Sequence, residues 1–367
     1  MTLHEEPQYQ HGSTHKTGVL LVNLGTPQSP NKKALKEYLG EFLWDPRVVE
    51  IPRALWWIIL NCIILKIRPK KSAQKYATIW TEKGSPLRVF TESLAEKLQA
   101  KFDEESENQV IITTAMRYGQ PSIEKSMLEL RSKGCNKILV SPLYPQYNSS
   151  TTGSVYDAVF ESLRKTRNVP GLRIVKHFHD DKRYIDSLEE QVKTFWENHG
   201  MPEKLVLSYH GVPKFSLLKG DPYHCECYKT SRLLSERLDY PRENIITTFQ
   251  SRFGKAEWLK PYTIETMKSL GEAGVRRVDV FCPGFIADCL ETLEEINIEN
   301  REEFLENGGK EFHYIPCVND NDTWVNASHE MLLDHLKGWH PPTEDQSTRE
   351  ANARISREEA LQKGAEV

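Results

Sequence analysis

Short apolar segments that end in glycine or proline alternate with longer amphipathic segments, and this alternation constrains the fold more than any other feature. The apolar segments with the character of buried strands are 18–27, 137–145, 204–213 and 277–283. Helical patterns lie between them, at 122–133, 184–197 and 263–273. Alternating strands and helices predict βαβ units and a mostly parallel sheet that helices cover on both faces.

The chain also resembles itself. Residues 21–27 are similar to 207–213, with glycine and proline at matching positions, and 134–142 are similar to 274–283. Chance similarity between glycine- and proline-containing turns is one explanation. Internal duplication is the other, and we favour it, which predicts two similar α/β halves around a shared cleft.

Composition excludes several classes of protein. The 367 residues carry a formal net charge of −4, so no basic excess exists to neutralise nucleic-acid phosphates. Seven irregularly spaced cysteines do not form a disulfide framework, which favours a reducing compartment. The first residues have neither the cationic nor the apolar region of a secretory signal. We therefore expect a cytoplasmic protein with no nucleic-acid partner.

One segment, 54–67, is strongly apolar and contains two tryptophans, with lysine and arginine at its end. As a helix it would reach about 21 Å at ~1.5 Å per residue, which is too short for a bilayer core of ~30 Å. Three interpretations stay open: a buried core helix, the rim of an apolar ligand site, or a segment that dips into an anionic membrane surface.

Ligands of parallel sheets bind beyond the carboxyl ends of the strands, and His210 stands at such an end. Its imidazole could accept protons or bind a metal ion, or it could simply hydrogen bond to a turn. Asp288, Glu291 and Glu295 follow the strand at 277–282 with a spacing that places them on one face of an α-helix. That stripe suits a cation or a proton path, but Asp288 with Glu291 also has the form of a helix-capping box.

Two further clusters are ambiguous. Arg117 and Tyr118 follow a strand and could pair with a carboxylate of a ligand, and the loop that begins at Tyr144 is rich in hydroxyl and aromatic groups. Cys225 and Cys227 have the spacing of a metal-binding pair. Zinc and iron–sulfur sites need about four ligands, and His224 is the one nearby residue that could add another. We interpret them as reduced thiols.

Several motifs, taken in order from residue 18 to residue 339, resemble those of the ferrochelatase family in its proteobacterial form. They are 24–27, 116–118, 144–147 with 150–154, 208–213, 220–223, 250–254 with Trp258, and 288–295.

The resemblance implies a chelatase-like α/β fold. Two similar Rossmann-like domains, each with a doubly wound parallel four-stranded sheet, would face a central cleft. The expected division is a disordered N-terminus (1–16), a first domain (17–172) that carries the apolar lip 54–67 and has the C-terminal helix 326–339 as a candidate addition, a second domain (173–325), and a polar tail (341–367).

The resemblance also implies the reaction. The family inserts Fe²⁺ into protoporphyrin IX to give protohaem and two protons, the terminal step of haem biosynthesis, which is a lyase reaction that forms metal–nitrogen bonds. By resemblance, His210 and Glu291 are the catalytic and metal-binding pair, facing each other from opposite lobes. Asp288 and Glu295 would form the path for protons or metal. The expected porphyrin contacts are Leu24, Arg117, Tyr118, Tyr144, Trp258 and Phe285.

We expect Fe²⁺ to be a substrate and no cofactor to be required. The cysteines that bind a [2Fe–2S] cluster in animal members lie in a C-terminal extension, whereas the last cysteine here is Cys317. Some bacterial members carry clusters elsewhere, so Cys225 and Cys227 stay open. The lip 54–67 is expected to make peripheral membrane contact and to admit porphyrin.

Other functions remain in competition. A tetrapyrrole or iron carrier on the same fold would bind without turnover, and a related chelatase would insert cobalt into another tetrapyrrole. Coproporphyrin III competes with protoporphyrin IX as the substrate. Our hypothesis for the two roles is that His210 accepts protons with partial metal contact and that Glu291 binds the metal.

Overall fold

Two separate four-stranded parallel sheets organise the computed structural model, which describes residues 3–13, 15–106, 109–254, 256–339 and 346–366. The first sheet has the spatial order β2-β1-β3-β4. Its strands are β1 (Lys16–Gly25), β2 (Val110–Tyr118), β3 (Cys135–Pro142) and β4 (Gly171–Ile174).

The second sheet repeats this order as β6-β5-β7-β8. Its strands are β5 (Lys204–His210), β6 (Ile245–Gln250), β7 (Arg277–Phe281) and β8 (Glu311–Ile315). Every pairing within both sheets is parallel. The predicted α/β fold class with two similar halves is confirmed.

Two glycines show why the halves resemble each other in sequence. Gly25 ends β1 with φ +111°, and a Cβ there would lie 1.8 Å from the carbonyl oxygen of Tyr118 on the neighbouring strand. Gly211 follows β5, and a Cβ there would lie 2.6 Å from the carbonyl oxygen of Gln250. The central strand of each sheet thus requires glycine where its neighbour's backbone approaches closely.

Helices flank the sheets. Those of the first half are α1 (Lys32–Trp44), α2 (Arg53–Ile59), α3 (Leu65–Ile79), α4 (Pro86–Ser106), α5 (Ile123–Ser132) and α6 (Ser154–Arg164). The helix α7 (Lys182–His199) leads to the second half, which contains α8 (Lys214–Leu218), α9 (Tyr223–Ser235), α10 (Thr263–Glu272) and α11 (Arg301–Glu306). The chain ends with α12 (Asp322–Leu336) and α13 (Gln346–Gln362). Three π-helical segments, Leu60–Ile64, Ser149–Gly153 and Glu291–Asn300, and a 3₁₀ turn, Arg242–Asn244, complete the set in the described residues.

Local sequence explains several helix starts. The side chains of Asn31, Ser122, Asp181 and Asn321 accept hydrogen bonds from backbone N–H groups in the first turns of α1, α5, α7 and α12. Such caps satisfy donors that would otherwise have no partner within the helix.

The largest hydrophobic core joins the two halves. It contains Leu21 of β1, Leu207 of β5 and the fully enclosed Trp324 of α12. Helix α12 packs against both α7 and α4, and α4 belongs to the first half. Helix α12 begins at residue 322, after both sheets in the chain, and yet it packs against α4 of the first half, whose last strand ends at residue 174.

The described N-terminal residues contact the first half. The backbone N–H of His4 donates to the carbonyl oxygen of Lys165 (2.9 Å), and the carboxylate of Glu6 accepts from the N–H of Asn168 (3.1 Å). These contacts differ from the disorder predicted for residues 1–16. Most of α13 is exposed, and residues 341–345 of the predicted polar tail lie outside the described residues.

The apolar lip belongs to an uninterrupted helical stretch made of α2, the π-helical segment Leu60–Ile64 and α3, and only one of its faces packs into a hydrophobic cluster. Within it, Trp56 and Leu60 are buried, whereas Trp57, Ile58 and Ile63 are each more than half exposed. Among the described residues, no helix is both long and apolar enough to cross a membrane. The segment therefore presents an apolar face to its surroundings.

Candidate functional site

His210 ends β5, where its backbone pairs with Gln250 of β6. The imidazole is half-buried, and its Nδ1 lies 2.7 Å from the carbonyl oxygen of Gly211. A carbonyl oxygen can only accept, so Nδ1 carries the proton and donates it. The lone pair of the ring is therefore on Nε2, which is available to accept a proton or to bind a metal ion.

Glu291 begins the π-helical segment Glu291–Asn300, and its side chain is half-buried. The side-chain amide of Gln250 donates to the carbonyl oxygen of Glu291 (2.7 Å). Ser208 of β5 donates to the other end of the same amide (2.8 Å). Gln250 thus connects the strand that carries His210 to the start of the π-helical segment Glu291–Asn300, which we call the acidic helix.

The charges of both His210 and Glu291 act on the carboxyl group of Glu295. Burial raises the pKa of the Glu295 carboxyl, and the negative charge of Glu291 adds to this effect. A hydrogen bond from Ser251 and the positive charge that His210 carries when protonated oppose it, without reversing the direction. Glu295 therefore retains a proton to higher pH than an ordinary glutamate.

Ser251 holds Glu295 in place through an unusual backbone. Its N–H donates to one carboxylate oxygen (2.6 Å) and its hydroxyl to the other (2.5 Å). The residue has φ +63°, in the left-handed region that non-glycine residues rarely adopt. Such strain at the carboxyl end of β6 is typical of functional positions.

Asp288 does not share this environment. Its carboxylate accepts from the Tyr314 hydroxyl, the Thr292 hydroxyl (3.1 Å) and the Asn319 amide (2.7 Å), and only 5% of the residue is exposed. It therefore has partners inside the second half, and the predicted single face of three carboxylates is wrong. The physical reason is that the helix starts after Asp288 and is wound as a π-helix, whereas the prediction assumed α-helical periodicity.

The expected placement of His210 and Glu291 on opposite lobes is also wrong. His210 ends β5, and Glu291 follows β7, and the two strands are neighbours in the second sheet. Both residues therefore project from the carboxyl edge of the same sheet. This is the edge at which parallel sheets bind ligands.

The first half faces Glu291 with tyrosines. Burial raises the pKa values of Tyr38 and Tyr76 well above the usual range, and the charge of Glu291 raises both further. Leu24 belongs to the same apolar cluster as Tyr38 and Tyr76, and Leu290 packs against that cluster. Leu24 thus lies where the acidic helix meets the first half, as a cleft-lining residue would.

Arg117 and Tyr118 converge on a carboxylate that the sequence analysis missed. Asp45 accepts from Arg117 Nη2 (2.6 Å), from the Tyr118 hydroxyl (2.9 Å) and from the Ser154 hydroxyl (2.5 Å). Burial acts to raise the pKa of Asp45, but these hydrogen bonds and that of the Arg47 N–H outweigh it and lower the pKa. Tyr118 has no exposed surface in this structure. The cluster therefore has a structural role within the first half.

The three remaining aromatic candidates have different positions. The ring of Trp258 covers Gly211, where a Cβ would lie 3.1 Å from Cε3, so the indole is beside His210. Tyr144 is half-buried, and its hydroxyl has no hydrogen-bond partner among the described residues. Phe285 and Phe90 both pack against a small buried cluster of Leu87, Ala287 and Cys289. Trp258 therefore lies against the turn that follows His210.

Cys225 and Cys227 point in different directions. Cys225 is exposed, whereas Cys227 is completely buried in the main core and burial raises its thiol pKa. The residue between them, Glu226, instead contacts His177 and His179. No local pattern in the sequence connects these residues, because the histidines and the glutamate lie about 50 positions apart.

Comparisons with known proteins agree with this architecture. The family model described as ferrochelatase matches residues 16–336. The chain is 53% identical to the ferrochelatase of Herminiimonas arsenicoxydans, with 100% of each chain covered, and 54% identical to that of Thioalkalivibrio sulfidiphilus, with 98% of each covered. Among solved structures, SirB from Bacillus subtilis with Fe³⁺ has a TM-score of 0.52 at 13% identity, covering 87% of this chain and 95% of that chain.

The structural likeness at 13% identity supports the two-half fold alone. The family match and the full-length identities go further, because they extend over both sheets and the acidic helix. The chain belongs to the ferrochelatase family.

Proposed function

We propose that His210, Glu291 and Glu295 carry out the chemistry of this enzyme. As a member of the ferrochelatase family, the chain inserts Fe²⁺ into protoporphyrin in haem biosynthesis. Insertion requires the removal of two N–H protons from the ring and the delivery of a metal ion to the freed nitrogens. The chain must therefore supply a base and metal ligands at one place.

The observation that carries the assignment is the fixed tautomer of His210. Because Nδ1 donates to the Gly211 carbonyl, the lone pair on Nε2 remains free to take a proton from a pyrrole nitrogen. Trp258 covers Gly211 and so fixes the turn that follows the His210 imidazole. A base held in one orientation removes a proton without first paying for its own ordering.

The two glutamates have complementary roles. Glu291 begins the acidic helix and is free of the Ser251 contacts that hold Glu295, so its carboxylate is the candidate ligand for Fe²⁺. Glu295 has a raised pKa and interacts with the charge that His210 carries when protonated. It is therefore a suitable acceptor for the proton that the histidine removes from the porphyrin. Asp288, enclosed by its own hydrogen bonds, supports the helix start instead of joining this path.

Porphyrin binding is proposed along the face where the halves meet. Leu24, Trp258 and Phe285 offer apolar and aromatic surface there, while Arg117 and Tyr118 shape the wall through Asp45. Bending the macrocycle so that a nitrogen lone pair becomes accessible costs ~1–5 kcal/mol, drawn from contacts elsewhere on the ring. The apolar surfaces are the source of that binding energy.

An optical assay tests the function. The purified chain is mixed with excess protoporphyrin IX and either Zn²⁺ or anaerobic Fe²⁺, and the porphyrin absorption bands are followed. We expect many turnovers per chain, with protoporphyrin IX preferred over coproporphyrin III. A shift that stops at one porphyrin per chain would instead indicate a carrier.

The lip is proposed to contact membranes peripherally. Each half-exposed side chain such as Trp57 or Ile58 gains on the order of 1 kcal/mol when its exposed surface is buried, and the exposed Lys66 and Lys70 follow closely. We expect the double replacement of Trp57 and Ile58 with Ser to weaken binding to vesicles that contain anionic lipid. Phe160→Ser, a replacement of a similarly exposed aromatic residue on α6, is the matched control. Equal vesicle binding by both variants would contradict the proposal.

A further inference from the structure

A cluster of three side chains of metal-ligand type contains none of the residues proposed above for the chemistry. His177 and His179 belong to the loop between β4 and α7, and Glu226 is on α9. One ligand atom from each residue lies within 4.8 Å of the others. Two imidazoles and a carboxylate are a ligand set that suits divalent transition-metal ions.

The two histidines already lie close to the Glu226 carboxylate, as the ligands of one metal ion would. His177 Nδ1 lies 2.7 Å from one carboxylate oxygen of Glu226, and His179 Nδ1 lies 3.4 Å from the other. Glu226 is also held by the backbone N–H of Tyr147 (2.7 Å), which fixes the carboxylate. Positioning by such an outer hydrogen bond is a common property of metal ligands.

His179 supplies an independent sign of a ligand. Only 5% of the residue is exposed, and its Nδ1, although 3.4 Å from a carboxylate oxygen of Glu226, makes no hydrogen bond among the described residues. A buried polar atom without a partner is costly, so its presence needs an explanation. A bound metal ion would supply that partner.

The cluster is accessible. The side chain of His177 is 37% exposed, and the residue lines a cavity of about 290 Å³ together with Asp180 and Trp324. A metal ion with three protein ligands leaves a coordination position for water. The cavity reaches the cluster at His177, the member whose side chain is also partly exposed.

We propose that His177, His179 and Glu226 bind a divalent transition-metal ion that fastens the loop of the first half to helix α9 of the second. This site is separate from the substrate-metal site and does not depend on the roles proposed above. Helix α9 begins at Tyr223, whose hydroxyl donates to the carbonyl oxygen of His210 (3.0 Å). The bound ion therefore stabilises the junction of the two halves one helical turn from a contact to the histidine.

Cobalt(II) is a suitable probe, because imidazole and carboxylate coordination gives it visible absorption bands. The chain is freed of metal with a chelator and titrated with Co²⁺. We expect one equivalent of the bound Co²⁺ to be lost in His179→Ala and in Glu226→Gln. His224→Ala, a replacement on the same helix outside the cluster, should retain it. The thermal midpoint should rise with Co²⁺ in the unchanged chain and in His224→Ala, but much less in the two cluster variants.

Two further variants keep the result interpretable. Glu226→Gln preserves the volume of the side chain and an acceptor for the Tyr147 N–H, and His177→Ala changes a partly exposed position, so both should fold even if His179→Ala does not. His210→Ala removes the substrate-site histidine and should leave the equivalent at the cluster intact. Equal Co²⁺ binding by the unchanged chain, Glu226→Gln and His177→Ala would overturn the proposal, as would loss of the equivalent in His210→Ala alone.

Discussion

The Asp45 cluster gives the sharpest stability prediction. Asp45 is 6% exposed and accepts from four donors: the Arg117 guanidinium, the hydroxyls of Tyr118 and Ser154, and the backbone N–H of Arg47. In Asp45→Asn, an amide nitrogen replaces one acceptor oxygen, so donors face a donor. The Arg117 side chain, itself only 17% exposed, also loses its counter-charge.

The expected magnitude follows from this enclosure. Removing one partner of a buried ion pair costs about 3–5 kcal/mol, and the oxygen that asparagine retains places the cost near ~3 kcal/mol. With a urea dependence of up to about 3 kcal/mol per molar, the unfolding midpoint should fall by roughly 1 M. Equilibrium urea unfolding followed by tryptophan fluorescence measures this shift.

Asp157→Asn is the matched control, since it breaks the pair between Arg47 and Asp157 in which both side chains are at least a third exposed. An exposed pair of this kind contributes about 0–1 kcal/mol. Adding Arg117→Met to Asp45→Asn removes the uncompensated charge and should recover part of the loss. If Asp45→Asn shifted the midpoint no more than Asp157→Asn, the structural role assigned to Arg117 and Tyr118 would be refuted.

Two further predictions concern the acidic helix and the cysteines. Because the folded pKa of Glu295 lies above its usual value of 4.5, its contribution to stability is complete below that pH and is lost as the pH rises through the folded pKa. The unfolding free energy of the unchanged chain relative to Glu295→Gln should therefore fall as the pH rises from 4; a rise would contradict the assigned shift. Because the thiols of Cys225 and Cys227 lie on different sides of α9, we expect the isolated protein to lack the visible absorption of an iron–sulfur cluster, and replacing both with Ser should leave its spectrum unchanged. A brown protein that this replacement bleaches would show the opposite.

The strands β1, β3, β5 and β7 could be predicted from the sequence because their signals are local, whereas the order of strands in each sheet came only from the structure. Each apolar segment alternates with a helix, and glycines such as Gly25 and Gly211 stand where the backbone of a neighbouring strand approaches. The repeated strand order explains why these short stretches resemble each other. The match between 134–142 and 274–283 likewise reflects entry into β3 and β7, each after a glycine with positive φ.

The candidate site could be predicted from the sequence only in part, because its other features depend on contacts between residues that are distant in the chain. Asp45 and Arg117 are 72 positions apart, and nothing near Asp45 announces the pair. The π-helical winding of Glu291–Asn300 is set by packing, so the assumption of α-helical periodicity placed Asp288 on the wrong face. Assigning His210 and Glu291 to opposite lobes failed for the same reason: sheet membership follows from the pairing of β5 with β7.

The most direct test of the central claim is the rate of zinc insertion into protoporphyrin IX by His210→Ala, measured beside porphyrin binding by the same sample. We predict that insertion is abolished while the porphyrin still binds, and that His224→Ala retains both properties. Insertion by His210→Ala at a rate close to that of the unchanged chain would contradict the account, because the lone pair on Nε2 would then not be the base.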